Sequence, residues 1–471
     1  MTPPRIFWIV LLDPNDPRPV HFVGIAGAGM SALAELFVRR GVKVTGCDAN
    51  ATGVDDLRKL GISIEQGHDP GHTDGARALV VTSAMPKDHP ELERARARGI
   101  PVVRRAEALG EATSGDGREL VGVAGTHGKS TTTVMTAEAL AAADRNPTAL
   151  VGARVAQWGG NLRAGGDSLY VLEADEYDRS FLAMSPTVAV VTNVEADHLD
   201  IYADLADIRR AFAEFIRGAR TIVLCADDRG ASTLPTPSST EVIRYGIASA
   251  DARLRALNVR AQATGVAFGV EYDGELLGSV SLQVAGNHNV LNALAAIAAG
   301  LALGAPFAGL AYGLSSFAGA ERRFERLGEE NGITVIDDYA HHPTEITATL
   351  SAARSAFPGR RLVVAFQPHL YSRTRDFARE FACALCEGDA VYLTEIYAAR
   401  EKPIAGVTAD LIVAELAKTT GQPKLSWRGE RALLADALAA AVRDGDVVIT
   451  MGAGDITKTG RELLARLRRA A

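Results

Sequence analysis

The sequence predicts an α/β protein built in three blocks, each a parallel sheet covered by helices, with a small antiparallel insertion in the middle block. Three observations carry this. Apolar runs, among them VHFVGI (20–25), ELVGVA (119–124), LYVLEA (169–174), VAVVTNV (188–194), RLVVAF (361–366) and DVVITM (446–451), alternate with helical patterns, as buried parallel strands do. Two turn-rich stretches, EATSGDGRE (111–119) and SSFAGAERRF (315–324), interrupt the alternation and set boundaries near 117 and 318. The 471 residues also exceed what one hydrophobic core organises, since domains commonly hold about 100–200 residues. The blocks are therefore residues 1–117, 118–318 and 319–471, with 1–19 as an extension. In the second block LPTPSST (234–240) precedes strand-like patterning over 259–286, the expected insertion.

Composition narrows the function. With 47% hydrophobic and 23% charged residues the chain should fold throughout. A net charge of −7 without a Lys/Arg-rich run argues against a general nucleic-acid binder and points to small-molecule substrates. Four cysteines, Cys47, Cys225, Cys383 and Cys386, are too scattered for a disulfide framework, which fits a reducing cytoplasm. Cys383 and Cys386 form a C-x-x-C within FAREFACALCEG, whose apolar spacing reads as an amphipathic helix with the cysteines in core packing. The apolar run Ile6 to Leu12 is ended by Asp13, Pro14 and Asp16, so neither a signal peptide nor membrane insertion is expected.

In the first block Gly24, Gly27 and Gly29 follow a strand and precede a helix expected to begin at about Met30. A helix start offers free N–H groups and a positive dipole end to phosphate. Against G-x-G-x-x-G the match is Gly24, Ala26 and Gly29, and Asp48 follows 19 residues later. A nucleotide ligand, NAD included, and tight strand–helix packing are both open readings.

The second block places a strand, then Gly125-Thr126-His127-Gly128-Lys129-Ser130, then a helix opening with threonines. Two residues separate the glycines where the strict phosphate loop has four, yet the chemical parts are present. The glycines allow close backbone approach, Lys129 can neutralise β/γ charge, and Ser130 can give its hydroxyl to Mg²⁺. Only eight of the 50 basic residues are Lys, and none lies between Lys129 and Lys402. Downstream, Glu173 ends a strand and is followed by Asp175, Glu176 and Asp178, either a metal site or a solvated acidic turn. After the next strand come Asn193, Glu195, Asp197, His198 and Asp200, with His198 a candidate second-metal ligand.

Taken in order, HFVGIAGAGMSALAE, GVAGTHGKSTTT, EADEYDRSFL, TNVEADHLD, GNHNVLNALAA, FAGAERRFE, DDYAHHPTEI, FQPHLYSRT and MGAGDI resemble the Mur ligase superfamily over residues 20–456. Within it they look like the branch that adds L-alanine to UDP-N-acetylmuramate. The resemblance implies a Rossmann-like UDP-binding domain, a P-loop-type ATPase domain and a Rossmann-like domain that positions the amino acid. It implies that Gly125, Thr126, His127, Gly128, Lys129, Ser130 and Thr131 cradle ATP, with Asn289 and Asn292 on the adenine side and Asp338 also at ATP. Ser130 and Glu173 would hold one Mg²⁺, with Mn²⁺ as a substitute, and His198 a second ion. Arg322 or Arg323 would reach phosphate, Arg323 being placed among the catalytic residues with Lys129, Glu173 and His198. Gly27, Gly29, Met30, Ser31, Asp48 and Ser83 would bind the UDP-sugar, and Tyr339, His341, His369 and Arg373 would surround the amino acid. Departures from the pattern are Ala26 for Gly, Ser130 for Thr, Tyr177 for Ser and Leu370 where some members have Arg. The lysine gap disfavours sister ligases that use a carbamylated lysine. The reaction implied passes through an acyl phosphate, in a cytoplasmic monomer or homodimer without nucleic-acid partners. Rivals are a recycling ligase that adds a tripeptide to the same nucleotide sugar and, more distantly, an NAD-dependent oxidoreductase.

Overall fold

The computed structural model describes residues 11–82, 85–262, 265–399, 401–419 and 425–470. Three sheets make a three-domain α/β fold, and the chain packs as two compact units. The first runs to Arg255 and takes in Glu271–Leu277 and Leu291–Leu314; the second holds Ala256–Val270, Gly278–Val290 and the chain from Ser315 onward.

In the first unit, strands β1 (Val20–Val23), β2 (Val44–Asp48), β3 (Ser63–Gln66), β4 (Ala78–Val81) and β5 (Val102–Arg104) form a parallel sheet in the order β3-β2-β1-β4-β5. Register puts His21 beside Thr45 and Val23 beside Cys47 on one face. On the other, Phe22 meets Phe37 of the helix Ala28–Arg39 edge-on at 5.5 Å. That helix starts two residues earlier than the sequence suggested, because Gly27 caps it in an extended conformation.

The ten-stranded central sheet includes β6 (Glu119–Ala124), β7 (Thr148–Val155), β8 (Gly160–Arg163), β9 (Leu169–Glu173), β10 (Val188–Val191), β11 (Thr221–Cys225), β12 (Glu241–Gly246) and β13 (Leu254–Gln262). Their order is β13-β12-β11-β10-β6-β9-β7-β8, parallel except for the β7–β8 hairpin. Strands β6, β9 and β10 are apolar nearly throughout and are buried at successive positions, hence on both faces. Their C-terminal ends therefore carry the polar residues. The expected insertion is β13 followed by β14 (Gly265–Tyr272) and β15 (Glu275–Leu282), successive neighbours that begin at Leu254, five residues before the pattern read from sequence.

The C-terminal sheet has β16 (Glu325–Glu330), β17 (Ile333–Asp338), β18 (Leu362–Phe366), β19 (Ala390–Thr394), β20 (Leu425–Gly429) and β21 (Val447–Met451) in the order β16-β17-β21-β18-β19-β20, antiparallel only at β16–β17. Alternate residues of β18 enter two separate cores. Val364 and Phe366 join Leu350, Phe381 and Leu385 on one face, while Val363 and Ala365 join Leu438, Leu463 and Leu467 on the other. The helix Ala378–Leu385 corrects one expectation, since Cys383 is exposed and only Cys386 packs partly against the core. Phe381, Ala382, Ala384 and Leu385 fill the inward arc, which leaves position 383 on the outward face. No helix among the described residues is long and apolar enough to cross a membrane.

Candidate active site

The 125–130 loop joins β6 to the helix Lys129–Ala142. Gly125 has φ +146°, and a Cβ there would lie 1.9 Å from Thr192 Oγ1, so only glycine fits. The chain after β10 braces the loop: Thr192 Oγ1 and Asn193 Nδ2 donate to the His127 carbonyl at 2.6 and 3.0 Å, and Asn193 Oδ1 accepts from the His127 N–H at 2.7 Å. Gly128, with φ +80°, turns the chain into the helix.

Lys129 and Ser130 then point at acidic partners from the end of β9. Lys129 Nζ is 2.8 Å from Glu176 Oε2 and donates to the Gly125 and Thr126 carbonyls at 2.7 and 3.1 Å. Burial opposes the charge on Lys129, but Glu176, Asp175 and Glu173 outweigh it and hold the ammonium above the ordinary lysine range. Ser130 Oγ donates to Glu173 Oε1 at 2.9 Å, and Glu173 Oε2 accepts from the Gly152 N–H at 2.5 Å. Hydroxyl and carboxylate make a hard oxygen pair of the kind Mg²⁺ takes. His198, held at φ +52°, brings Nε2 to 3.7 Å from Glu176 Oε1 and 3.8 Å from Asp197 Oδ2. Lys129 and His198 thus meet at Glu176, whose pairing role the sequence did not suggest, and Ser130 pairs with Glu173. Thr126 and Thr131 are buried within the loop and helix start, and Asn292 Oδ1 accepts from Thr132 Oγ1 at 3.1 Å.

A cavity of about 270 Å³ opens between this acidic cluster and the first glycine loop. Gly27, Gly29, Met30 and Thr82 line one side with Arg105, and Gly152, Glu173 and Asp175 line the other. The Arg105 guanidinium packs on Gly29, where a Cβ would come within 3.0 Å of Nη1. Arg105 was not singled out from sequence, because it sits in no motif and reaches the loop only through packing. Two expected residues are engaged elsewhere: Asp48 accepts from the Ala26 and Asn50 N–H groups at 3.0 and 2.9 Å, and Ser31 donates to the Ala28 carbonyl at 2.9 Å. Neither lines the cavity, and Ser83 lies outside the described residues.

The second unit carries the remaining candidates. Arg322 is occupied, with Nε 3.1 Å from Asp337 Oδ2 and Nη2 2.5 Å from the Gly452 carbonyl. Arg323 lies 3.9 Å from Glu345 and over the Tyr339 ring at 5.1 Å, and its charge also faces Asp338. Asp338 is buried and accepts from the Phe324 and Ala340 N–H groups, each at 2.7 Å, and burial pushes its carboxyl up to about 6. Aromatic rings run in a chain: Tyr339 to His341 at 5.1 Å, His341 to His369 at 5.6 Å, and His369 to Tyr397, stacked at 5.9 Å. Buried Arg373 approaches His369 Nδ1 at 3.5 Å. Tyr397 joins this group without a signal in the sequence, since a backbone bridge to His369 brings it in. Asn289, also in this unit, is buried and donates to the Ala285 carbonyl at 2.8 Å.

Comparison with known proteins shows the family. Family descriptions match in series: the Mur ligase family catalytic domain over residues 19–116, the Mur ligase middle domain over 123–300, and the Mur ligase glutamate ligase domain over 322–454. The UDP-N-acetylmuramate–L-alanine ligase of Acidothermus cellulolyticus is 45% identical, covering 97% of this chain and 98% of that one. The ligase of the same name from Salinibacter ruber is 43% identical over 96% and 95%. Among solved structures, the UDP-N-acetylmuramate-alanine ligase of Thermotoga maritima superposes with a TM-score of 0.82 at 31% identity, covering 96% of this chain and 100% of that one. A murein peptide ligase from Psychrobacter arcticus superposes at 0.70 with 26% identity, over 96% and 98%.

Proposed function

This chain belongs to the Mur ligase family, and we propose that it joins L-alanine to the lactyl carboxylate of UDP-N-acetylmuramate, using ATP, in peptidoglycan precursor synthesis in the cytoplasm. The observation that carries this reading is the cavity in which the first glycine loop faces Glu173 and Asp175. A sugar nucleotide held at Gly27–Met30 and Arg105 would present its carboxylate beside the phosphoryl-transfer groups.

The reaction has two steps. The lactyl carboxylate attacks the γ-phosphorus of ATP, releasing ADP and forming an acyl phosphate; the amine of L-alanine then attacks the acyl carbon, loses a proton and expels phosphate. The chain's part is positioning and charge neutralisation. The loop from Gly125 to Thr131 cradles the phosphates, and Lys129, already charged, neutralises the transferring group. Ser130 and Glu173 would hold Mg²⁺ and His198 a second ion, and bound metal supplies further neutralisation of phosphate charge. Asn289 and Asn292 offer amides to adenine. Arg323 is assigned to phosphate rather than Arg322, whose guanidinium is bound to Asp337 and Gly452. Asp338 steadies the loop carrying Arg323 through the Phe324 N–H. Arg373 is the fork for the alanine carboxylate, with Tyr339, His341 and His369 around it. Ser31, Asp48 and Ser83 complete the UDP-sugar assignment, Asp48 acting through the loop backbone. The domain limits at 117 and 318 go with these roles.

Phosphate release by purified protein with ATP, Mg²⁺ and UDP-N-acetylmuramate tests the assignment across L-alanine, glycine, L-serine and the recycling tripeptide. Release should be strongest with L-alanine, with the matching product mass. Release with the tripeptide alone would move the chain to the recycling reaction.

A further inference from the structure

Away from the cavity, the other face of the N-terminal sheet holds an unexpected concentration of soft donors. Four of the chain's ten histidines, His21, His68, His72 and His89, surround Glu91 together with Cys47. They come from β1, β2, the segment after β3 and the start of the helix Pro90–Ala97. His21, Cys47, His72 and Glu91 each present a ligand atom, all within 4.8 Å of one another. We propose that these four residues form a binding site for a structural Zn²⁺ ion, separate from the site of phosphoryl transfer.

Three features of the cluster carry the proposal. The first is His21, only 2% exposed. Its Nδ1 lies 2.9 Å from Thr45 Oγ1, while its buried Nε2 has no hydrogen-bond partner among the described residues. With Nδ1 donating to Thr45, Nε2 presents its lone pair inward, the arrangement in which a second hydrogen bond orients a metal-bound imidazole.

The second is Glu91, which is fully buried. Among the described residues its ion-pair partners are the histidines His68, His72 and His89, at 3.4, 3.0 and 3.8 Å. The Asp69 N–H adds one hydrogen bond at 3.1 Å. A carboxylate withdrawn from water without lysine or arginine calls for a cation. With Cys47 as thiolate, one divalent ion brings the four-residue set to neutrality.

The third is spacing. Zn–ligand bonds of about 2.0–2.3 Å in a tetrahedron put ligand atoms about 3.3–3.8 Å apart. Cys47 Sγ lies 3.2 Å and His72 Nδ1 3.0 Å from Glu91 Oε1. Small adjustments would convert these hydrogen bonds into metal bonds, with the Cys47 thiol proton released to solvent. The donor set of two imidazoles, a thiolate and a carboxylate suits Zn²⁺ over Mg²⁺. His72, with its side chain 20% exposed, provides the access route. The bound ion would tie β1, β2, the turn Pro70–Thr73 and the following helix together.

The test uses full-length protein without a histidine tag, stripped with a chelator and reloaded with Zn²⁺ or Co²⁺ under excess Mg²⁺. Expected are one equivalent of retained Zn²⁺, a Zn²⁺-dependent rise in melting temperature, and tetrahedral Co²⁺ absorption with a thiolate charge-transfer band. Cys47→Ser should remove that band and the thermal shift, Cys383→Ala should change neither, and His72→Asn should weaken binding by at least about tenfold. Wild-type protein that gives no thiolate–Co²⁺ band, or one that survives in Cys47→Ser, overturns the proposal. Should a variant fail to fold, the wild-type Co²⁺ spectrum decides alone.

Discussion

The two glycine loops of the first unit share a plan, strand then loop then helix, but differ in where their counter-charge comes from. The 125–130 loop carries its own: Lys129 and Ser130 open its helix and meet Glu176 and Glu173 at 2.8 and 2.9 Å. In the 24–29 loop the helix Ala28–Arg39 has no charged residue in its first turn, and a cation arrives from elsewhere as Arg105. The second loop thus has its cation built in at a set position, whereas the first borrows one from a later helix, Arg105–Thr113.

The sharpest way to break this comparison is Lys129→Ala, expected to lower phosphate release by about 10³-fold or more. The substitution also leaves buried Glu176 without its cation, at a cost of about 3–5 kcal/mol. The Lys129→Ala/Glu176→Gln double variant should therefore regain thermal stability but not turnover, and recovered turnover would remove Lys129 from the mechanism. Glycine substitutions probe the backbones. Gly125→Ala must push aside Thr192 and adopt φ +146°, and should destabilise by about 2–4 kcal/mol in denaturant titrations. Gly27→Ala, with φ −63° and its nearest contact at 3.5 Å, should cost less than about 0.5 kcal/mol.

Borrowed charge can be tested at both ends of the reaction. Arg323→Ala should reduce kcat/KM by about 10²-fold with unchanged stability. Arg322→Ala should instead lower stability by about 3 kcal/mol, because the Asp337 carboxylate beside it is 1% exposed. Equal kinetic and stability effects at the two arginines would undo the assignment. Arg105→Ala should raise KM for the sugar nucleotide by about tenfold and leave KM for ATP unchanged. The smallest effect is a pH dependence outside both loops. Burial raises Asp338 to about 6, above its ordinary 3.8, so its contribution to stability is complete below the ordinary value and is lost as pH rises through 6. Melting curves from pH 4 to 7 should show wild type losing stability relative to Asp338→Asn, by at most about 1.4 kcal/mol per pH unit.

Much of the fold was legible because buried parallel strands are continuous apolar runs, which is how β6, β9, β10, β18 and β21 were found. Short or half-exposed strands such as β3 and β8 carry no such signal. The outward turn of Cys383 was missed because an i, i+3 pair constrains the helix but not which cysteine faces the core. Asp48 shows a different limit: its spacing from Gly29 could not tell that its carboxylate accepts from the Ala26 and Asn50 N–H groups.

The sequence by itself determined whatever is chemically local. Gly125 to Ser130 are contiguous, so their order already specifies backbone approach, cation and hydroxyl; Glu173 is placed by the strand it ends and His198 lies in the loop after β10. Tertiary structure decided what depends on register and packing between distant segments. Glu176 pairs with Lys129 across 47 residues, and Arg105 meets Gly29 because a helix packs there. His21, Cys47, His72 and Glu91 converge because parallel pairing sets β1 beside β2 while a turn and a helix close over the same face. No spacing rule announces such a cluster, since its members are neighbours only once the sheet has formed.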